Sequence, residues 1–536
     1  MVLSLMPATS AIRDPDFWWH LRTGQLILDR GSLLGTDPFT YTASDHHWVM
    51  HEWLTEVLFA LLYRAGGLGL IVLVLCAVTW VGLGCLAGRA ALPRPPWAPQ
   101  AVAAAGGRRV SLIVLGLGMV LAAVTGYPIW GPRAQMETFA LTCLTLLLAE
   151  RHLRLGGRAI WALVPMFLVW SNLHSGFIIG AGFLVLIVAV ELIAGRMGLP
   201  GTAPTARVVG LIKVIGACAA IVVINPNGPG IYLYPFETQG SSAQQSMILE
   251  WHSPDFHDTS VRVFGLMLLS LALMCVMTRR VRPRDLALAL STTALALQSV
   301  RHIALFVAAV TPLWIEQADL CLERYRAWRG LRPAARPAGR RRPQAEPPMW
   351  FRGALAAIAV GLPLLFLAGR TATAMTTRED SASYTGDFPV CAARWLAAAP
   401  PGSDLRIFNQ YGEGGYLALK LTPLGDRVYI FGDAALMGDA MLVRYSGVEG
   451  VSPTWERELI ASGTDIVVFD NGTPLVDVLE QSPDWQRVYR DDHNSAFVRA
   501  GAAGDGIRLE LPPPSVATTT PGCIPSAPTQ TASAEG

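Results

Sequence analysis

The sequence predicts a mainly α-helical protein that crosses a membrane many times and ends in a small soluble α/β domain. Two observations set that class. Of 536 residues, 52% are hydrophobic and only 15% charged, against about 25% charged in ordinary soluble chains, and the mean hydropathy is +0.39. The apolar residues also fall into separate runs of the length a bilayer demands, about 20 residues per helix. The formal charge of +2 leaves no global surface for a polyanion, which argues against nucleic acid as a partner.

Residues 1–65 read as an outer loop before the first clear span. Residues 1–12 are too short to cross and lack the basic start of a signal peptide. The expectation is therefore a first transmembrane helix missing from the sequence, upstream of Met1. Within the loop, H-E-W-L-T-E-V-L-F-A-L-L-Y (51–63) reads as a helix at or entering the interface. Residues 66–370 form the expected bundle, with spans near 66–88, 110–128, 135–150, 159–173, 175–195, 207–225, 261–278, 285–299, 302–317 and 352–369. That makes about 10 spans, or 11 with the missing one.

Every second loop is rich in arginine: Arg89, Arg94, Arg108 and Arg109; Arg151, Arg154 and Arg158; Arg196 and Arg207; Arg279, Arg280, Arg282 and Arg284; and a long basic stretch ending in Arg340, Arg341 and Arg342. Those loops belong in the cytoplasm, and everything after 370 outside, in a protein of the inner or plasma membrane. Residues 371–510 read as the extracytoplasmic domain. D-L-R-I-F-N (404–409), R-V-Y-I-F (427–431), D-I-V-V-F-D (465–470) and S-A-F-V-R (495–499) alternate with helical stretches, as in an α/β domain with a partly parallel sheet. The Pro/Thr/Ser-rich tail, 511–536, is expected to be disordered. Of the eight cysteines, Cys76, Cys85, Cys143, Cys218 and Cys275 sit in apolar runs. Cys391 and Cys523 both fall outside, but the position of Cys523 in the tail weighs against a disulfide.

Polar residues at membrane depth are costly, about 2.5–3.5 kcal/mol for a central Arg or Asp, and here they collect on the outer side of the map. D-P-D-F-W-W-H-L-R (14–22) brings Asp14 and Asp16 around a proline, with Trp18 and Trp19 suited to the headgroup layer. Asp37, His47, His51, Glu52 and Glu56 follow. Other outward connections carry Arg133, Asn172 with His174, Asn225 and Asn227, Glu250, Trp251, His252 and Asp255, and Arg301 with His302. A hydrated rim of ordinary interface anchors explains any one of these; a polar cavity explains the group. A carboxylate pair can act as general base or hold Mg²⁺ or Mn²⁺ beside phosphate oxygens. Guanidiniums grip phosphate by paired hydrogen bonds. With no H-E-x-x-H pattern, zinc is disfavoured.

The motifs D-P-D-F-W-W-H-L-R-T-G (14–24), T-D-P-F-T-Y-T, H-E-W-L-T-E, N-P-N-G-P, E-W-H-S-P-D-F and R-H-I-A-L-F resemble a largely uncharacterised group of bacterial and archaeal polytopic membrane proteins. That group is similar to the GT-C class of glycosyltransferases, which includes protein O-mannosyltransferases, aminoarabinose transferases and oligosaccharyltransferase catalytic subunits. The resemblance covers roughly residues 14–500. It implies a GT-C-like fold, a polyprenyl-phosphate-linked sugar donor, work on the outer face, and an essential Asp in the first outer loop, where Asp14 and Asp16 stand. Q-Y-G-E-G-G-Y (410–416) aligns with the W-W-D-Y-G motif of oligosaccharyltransferases at Tyr411 and Gly412. The Trp-Trp-Asp part is absent, which argues against sequon recognition.

The leading expectation is an integral membrane glycosyltransferase. Asp16, or Asp14, is its base. Arg133, Arg301, His302, His174, Asn172, Glu250, Trp251, His51 and Glu52 are its substrate and phosphate contacts. Asp14 and Asp16 are the candidate ligands of an Mg²⁺ or Mn²⁺ cofactor. The partners are a lipid-linked sugar and an acceptor that is an envelope glycan, a lipid or a protein. The alternatives are a transporter or flippase for a lipid-linked or envelope substrate, and a non-catalytic GT-C-like scaffold whose soluble domain binds a partner through the G-E-G-G-Y loop or the stretch around Asp433 and Asp439.

Overall fold

The computed structural model describes residues 12–93, 110–330, 377–381, 383–400, 402–500, 511–519 and 523. The expected span at 352–369 and the arginines at 340–342 lie outside the described residues. The described residues divide into two compact units: one takes those within 72–229 and 250–330, the other those within 12–71, 230–249 and from 377 on.

Every expected span within the described residues is helical. The helices are Trp53–Ala90, Leu112–Thr125, Gln135–Leu155, Ala159–Ala162 continuing into Leu163–Leu173, Phe177–Arg196, Thr205–Val222, Thr259–Thr278, Pro283–Gln298, and Val300–His302 continuing into Ile303–Trp328. Five of them are long and apolar enough to cross a membrane: Trp53–Ala90, Phe177–Arg196, Thr205–Val222, Thr259–Thr278 and Val300–Trp328. Leucines 266, 269 and 273 stand out from Thr259–Thr278, as side chains facing lipid would. Val300–Trp328 is different. Its apolar window is 89% buried, against 28–44% in the other four, so it is the central helix of its unit. The Trp53–Ala90 helix is broken at Gly66 and Gly67, whose backbones are non-helical, at the point where the sequence places the start of the first span.

One end of the bundle is closed by charge. Arg282 bonds Glu150 at 3.2 Å, Asp285 at 2.9 Å and both Glu316 oxygens at 2.9 Å. Arg284 takes both oxygens of Glu150, at 2.9 and 3.0 Å, and pairs with Glu191. Arg154 pairs with Glu150 and Glu316, and Arg89 with Asp285. Arg89, Arg154, Arg282 and Arg284 were counted above as loop charges. The structure corrects this: all four side chains are buried among carboxylates that sit one to a helix. Arg151, Arg158, Arg196, Arg279 and Arg280 remain exposed at the same helix ends.

The second unit is built on a five-stranded mixed sheet in the order β2-β1-β3-β5-β4. Its strands are β1 (Arg406–Asn409), β2 (Arg427–Val428), β3 (Ile466–Asp470), β4 (Trp485–Arg490) and β5 (Asn494–Arg499). β1 pairs in parallel with β2 and β3, and β5 pairs antiparallel with β3 and β4. The N-terminal stretch belongs to this unit. Val428 donates to Phe39 O, and Tyr41 donates to Val428 O, which extends the sheet beyond β2. The Asp16–Arg30 helix packs Trp18 edge-on against Tyr384, Phe388 and Tyr416. Trp18 and Trp19 are thus core residues of this unit, which corrects their assignment to the headgroup layer. The described part of the tail makes contacts of its own. Pro514–Thr519 forms a 3-10 turn, Trp395 donates to Pro512 O at 2.7 Å, and Cys523 is bonded to Cys391.

Candidate functional site

Asp14 and Asp16 stand at the start of the Asp16–Arg30 helix. Pro15 supplies a fixed φ of −63° at the cap position. Asp14 accepts the N–H of Asp16 at 3.1 Å, and Trp19, one turn on, donates its indole N–H to Asp16 Oδ1 at 3.3 Å. A carboxylate in the first turn is favoured by the helix dipole. Both acids are half-buried. The turn after β2 closes over them. A Cβ on Gly432 would come within 1.6 Å of Asp16 Oδ1, so only glycine leaves room for that oxygen. Tyr411 donates its hydroxyl to Gly432 O at 3.1 Å. Burial, together with the Asp16 and Asp433 carboxylates, pushes its phenol well above the usual range.

His51 and Glu52, expected to meet substrate, are buried in the same unit and bonded to each other at 3.2 Å. Glu52 also reaches His20 Nε2 at 3.3 Å, while Glu56 holds His20 Nδ1 at 3.2 Å. Tyr234 stacks on His51 at 4.1 Å. Asp37 forms a turn, accepting the N–H of Phe39 at 2.7 Å. Asp433 caps a short helix and accepts the Trp48 indole at 2.8 Å, and Asp439 accepts from Ser241. Both are thus engaged within the fold, which weakens their reading as a partner surface.

In the helical unit the structure brings Arg133, Glu250, Trp251, Arg301 and His302 together. Arg133 pairs with Glu250 at 2.6 Å. Arg301 lies 4.6 Å over the Trp251 ring, whose edge meets His302. Ser299 Oγ donates to Glu250 O at 2.7 Å, and Val300 N to His252 O at 3.1 Å, which ties this loop to the start of the central helix. Partial burial favours the neutral acid at Glu250, but Arg133 and Arg301 outweigh it and hold the carboxyl below its usual range. Glu137 adds a buried carboxylate near this end.

Asn172 is engaged within the helical unit. It donates to Leu168 O and Ile224 O and accepts from Asn225, which joins two helix ends. His174 Nδ1 accepts the N–H of Gly176 at 2.8 Å, shaping the turn into Phe177–Arg196. Trp19, His20, Tyr411 and Gly432 were not among the candidates. Trp19 and His20 lie inside the quoted D-P-D-F-W-W-H motif, and that was the one signal available for them.

Among the described residues no group of three or more His, Cys, Asp or Glu side chains is arranged to hold a metal ion. Two carboxylates with water and phosphate oxygens are a donor set that Mg²⁺ accepts, and Asp14 and Asp16 are of the residue type such a set would draw on.

No family model matches the chain, and no curated protein matches it. Solved structures do. The apo oligosaccharyltransferase of Archaeoglobus fulgidus is similar with a TM-score of 0.52 at 12% identity, over 85% of this chain and 66% of that one. The oligosaccharyltransferase AglB of the same organism, in complex with an inhibitory peptide and a dolichol-phosphate, also gives 0.52 at 12% identity, over 96% and 72%. ArnT from Cupriavidus metallidurans bound to undecaprenyl phosphate gives 0.48 at 14% identity, over 94% and 96%. This chain spans about two thirds of the length of the apo oligosaccharyltransferase. The expected likeness to GT-C-class enzymes holds at the level of the fold: a polytopic helical bundle with a small C-terminal sheet domain.

Proposed function

We propose that this protein is an integral membrane glycosyltransferase that moves a sugar from a polyprenyl-phosphate donor to an acceptor hydroxyl on the extracytoplasmic face. The observation that carries this reading is the seating of Asp16: a helix-start carboxylate whose Oδ1 is held by the Trp19 indole and packed close against Gly432. The solved structures with this fold lend it support, since one of them holds a dolichol-phosphate.

Asp16 takes the proton of the acceptor hydroxyl. The acceptor oxygen then bonds to the anomeric carbon, and the bond from that carbon to the phosphate oxygen breaks. The polyprenyl phosphate leaves with the electron pair, and because it is a stable anion no second acid is needed. Arg133 and Arg301 are the phosphate-binding candidates, with Glu250 orienting Arg133 and Trp251 orienting Arg301. If the enzyme takes Mg²⁺ or Mn²⁺, Asp14 and Asp16 hold it, and it supplies charge neutralisation at the phosphate. The Cys391–Cys523 disulfide supports an extracytoplasmic C-terminal domain, because such bonds persist in oxidising compartments.

The test is turnover of labelled polyprenyl-phosphate sugars by purified protein in liposomes, alongside envelope-glycan and glycolipid profiles of a deletion strain. Asp16→Asn should lower transfer by about a hundredfold or more with insertion unchanged. Wild-type turnover by that variant refutes the role given to Asp16.

A further inference from the structure

His20 stands one turn after Asp16 on the same helix, and nothing in the transfer chemistry uses it. Its ring is buried, with carboxylate oxygens at both nitrogens: Glu52 at 3.3 Å from Nε2 and Glu56 at 3.2 Å from Nδ1. A neutral imidazole has one N–H, so it would turn a lone pair toward one of these oxygens. Only the imidazolium donates to both. The approach of the two helices is built for this grip. A Cβ on Gly24, one turn beyond His20, would lie 1.9 Å from Glu56 O, so glycine there lets the backbones close. The His20 ring also lies against the neighbouring Trp19 ring, with centroids 3.6 Å apart. Trp19 is the residue whose indole reaches Asp16.

We propose that His20 is a positioning residue: clamped between Glu52 and Glu56, it fixes Trp19, and through Trp19 it fixes the Asp16 carboxylate in the orientation that proton transfer requires. This rests on the reading of Asp16 as base. The charged groups facing His20 are Glu52, Glu56 and, along its own helix, Asp16; His51 shares Glu52. Burial alone would favour the neutral ring, but these carboxylates outweigh it and push His20 up to about 9. The clamp is therefore closed at neutral pH and opens as pH rises through that value. The alkaline limb of the pH–rate profile then belongs to His20.

Two measurements test this on the full-length protein in nanodiscs. Deuterium exchange at the imidazole C2 position, followed by mass spectrometry across pH, reports the titration of His20 without any turnover. His20 should titrate far above the ordinary histidine range of about 6.5 in wild type, and Glu52→Gln should bring it down by a unit or more. In the transfer assay, His20→Gln should lower kcat by about tenfold to a hundredfold, leave KM within a few-fold, and lose the alkaline limb. Glu52→Asp should recover part of the rate that Glu52→Gln loses. An ordinary titration of His20 in wild type, or a His20→Gln enzyme with wild-type kcat and alkaline limb, overturns the clamp. Absence of transfer by wild type with every lipid-linked sugar tried overturns the catalytic reading instead, while the exchange experiment still decides the clamp.

Discussion

The two ends of the helical unit use the same residue types for opposite purposes. Gln135–Leu155 begins just after Arg133 and carries Glu150 toward its far end, about 22 Å along the axis at 1.5 Å per residue. The central helix runs the same way, from Arg301 and His302 to Glu316. At the Glu150 end, four arginines and four carboxylates saturate one another, and their side chains are between 1 and 9% exposed. At the Arg133 end the pair is open: the Arg133 side chain is 14% exposed and that of Glu250 37%, and the Arg301 guanidinium lies over a tryptophan ring. A sealed network gives rigidity, because every charge in it has a fixed partner. An open one can exchange a carboxylate for a phosphate. This contrast counts against the transporter alternative, since alternating access requires the Glu150 end to open and would strand those charges.

The largest expected effect comes from breaking the sealed end. Glu150→Ala leaves Arg154, Arg282 and Arg284 without their shared partner and should cost about 3–5 kcal/mol, seen as a collapse of the thermal unfolding midpoint in detergent. A midpoint within about 2 °C of wild type would show that the network is not structural. Next is Arg133→Ala. Its effect on stability should stay within about 1 kcal/mol, while affinity for polyprenyl phosphate, read by calorimetry, falls about tenfold to a hundredfold. The reverse pattern would place Arg133 among the structural charges. Arg301→Lys keeps the charge but loses the guanidinium contact with the Trp251 ring and should weaken binding by a few-fold only.

The smallest effect is that of pH on the Arg133–Glu250 pair. The folded carboxyl titrates below its unfolded counterpart, so the pair stabilises the protein above the unfolded value of about 4.3. That contribution fades as pH falls through the lower folded value. Wild type and Glu250→Gln should therefore differ slightly in unfolding midpoint at pH 6, and the difference should shrink only in stronger acid. A difference that vanishes above pH 5 contradicts the assigned direction.

The spans were legible because bilayer thickness imposes a length on each apolar run. The strands were legible because β1, β3 and β5 are short apolar runs between turn residues. The sealed network was not. Glu150, Glu191, Asp285 and Glu316 lie on separate helices, and periodicity carries no information about which acid meets which arginine. The same limit hid the use of Asn172 as a helix tie and the bond between Cys391 and Cys523. Asp16 and Trp19 were visible through one motif, whereas Gly432 was not: it lies more than four hundred residues away in the chain, and its requirement is steric. Trp18 and Trp19 misled because an aromatic pair beside an apolar run suits a headgroup layer as well as a core; the cage of Tyr384, Phe388 and Tyr416 around Trp18, and Trp48 and Phe431 against Trp19, decide between them.

The bridge from Thr40 to Val428 has a consequence for how the molecule is made. The edge that residues near 40 complete does not exist until almost four hundred further residues have been translated. Those first segments must wait, exposed, while the helices in between are threaded into the bilayer. Assembly of the sheet domain is therefore a late, post-insertion event. A C-terminal fragment expressed alone would carry a raw, unpaired edge prone to self-association, and supplying residues 12–71 in trans should quiet it.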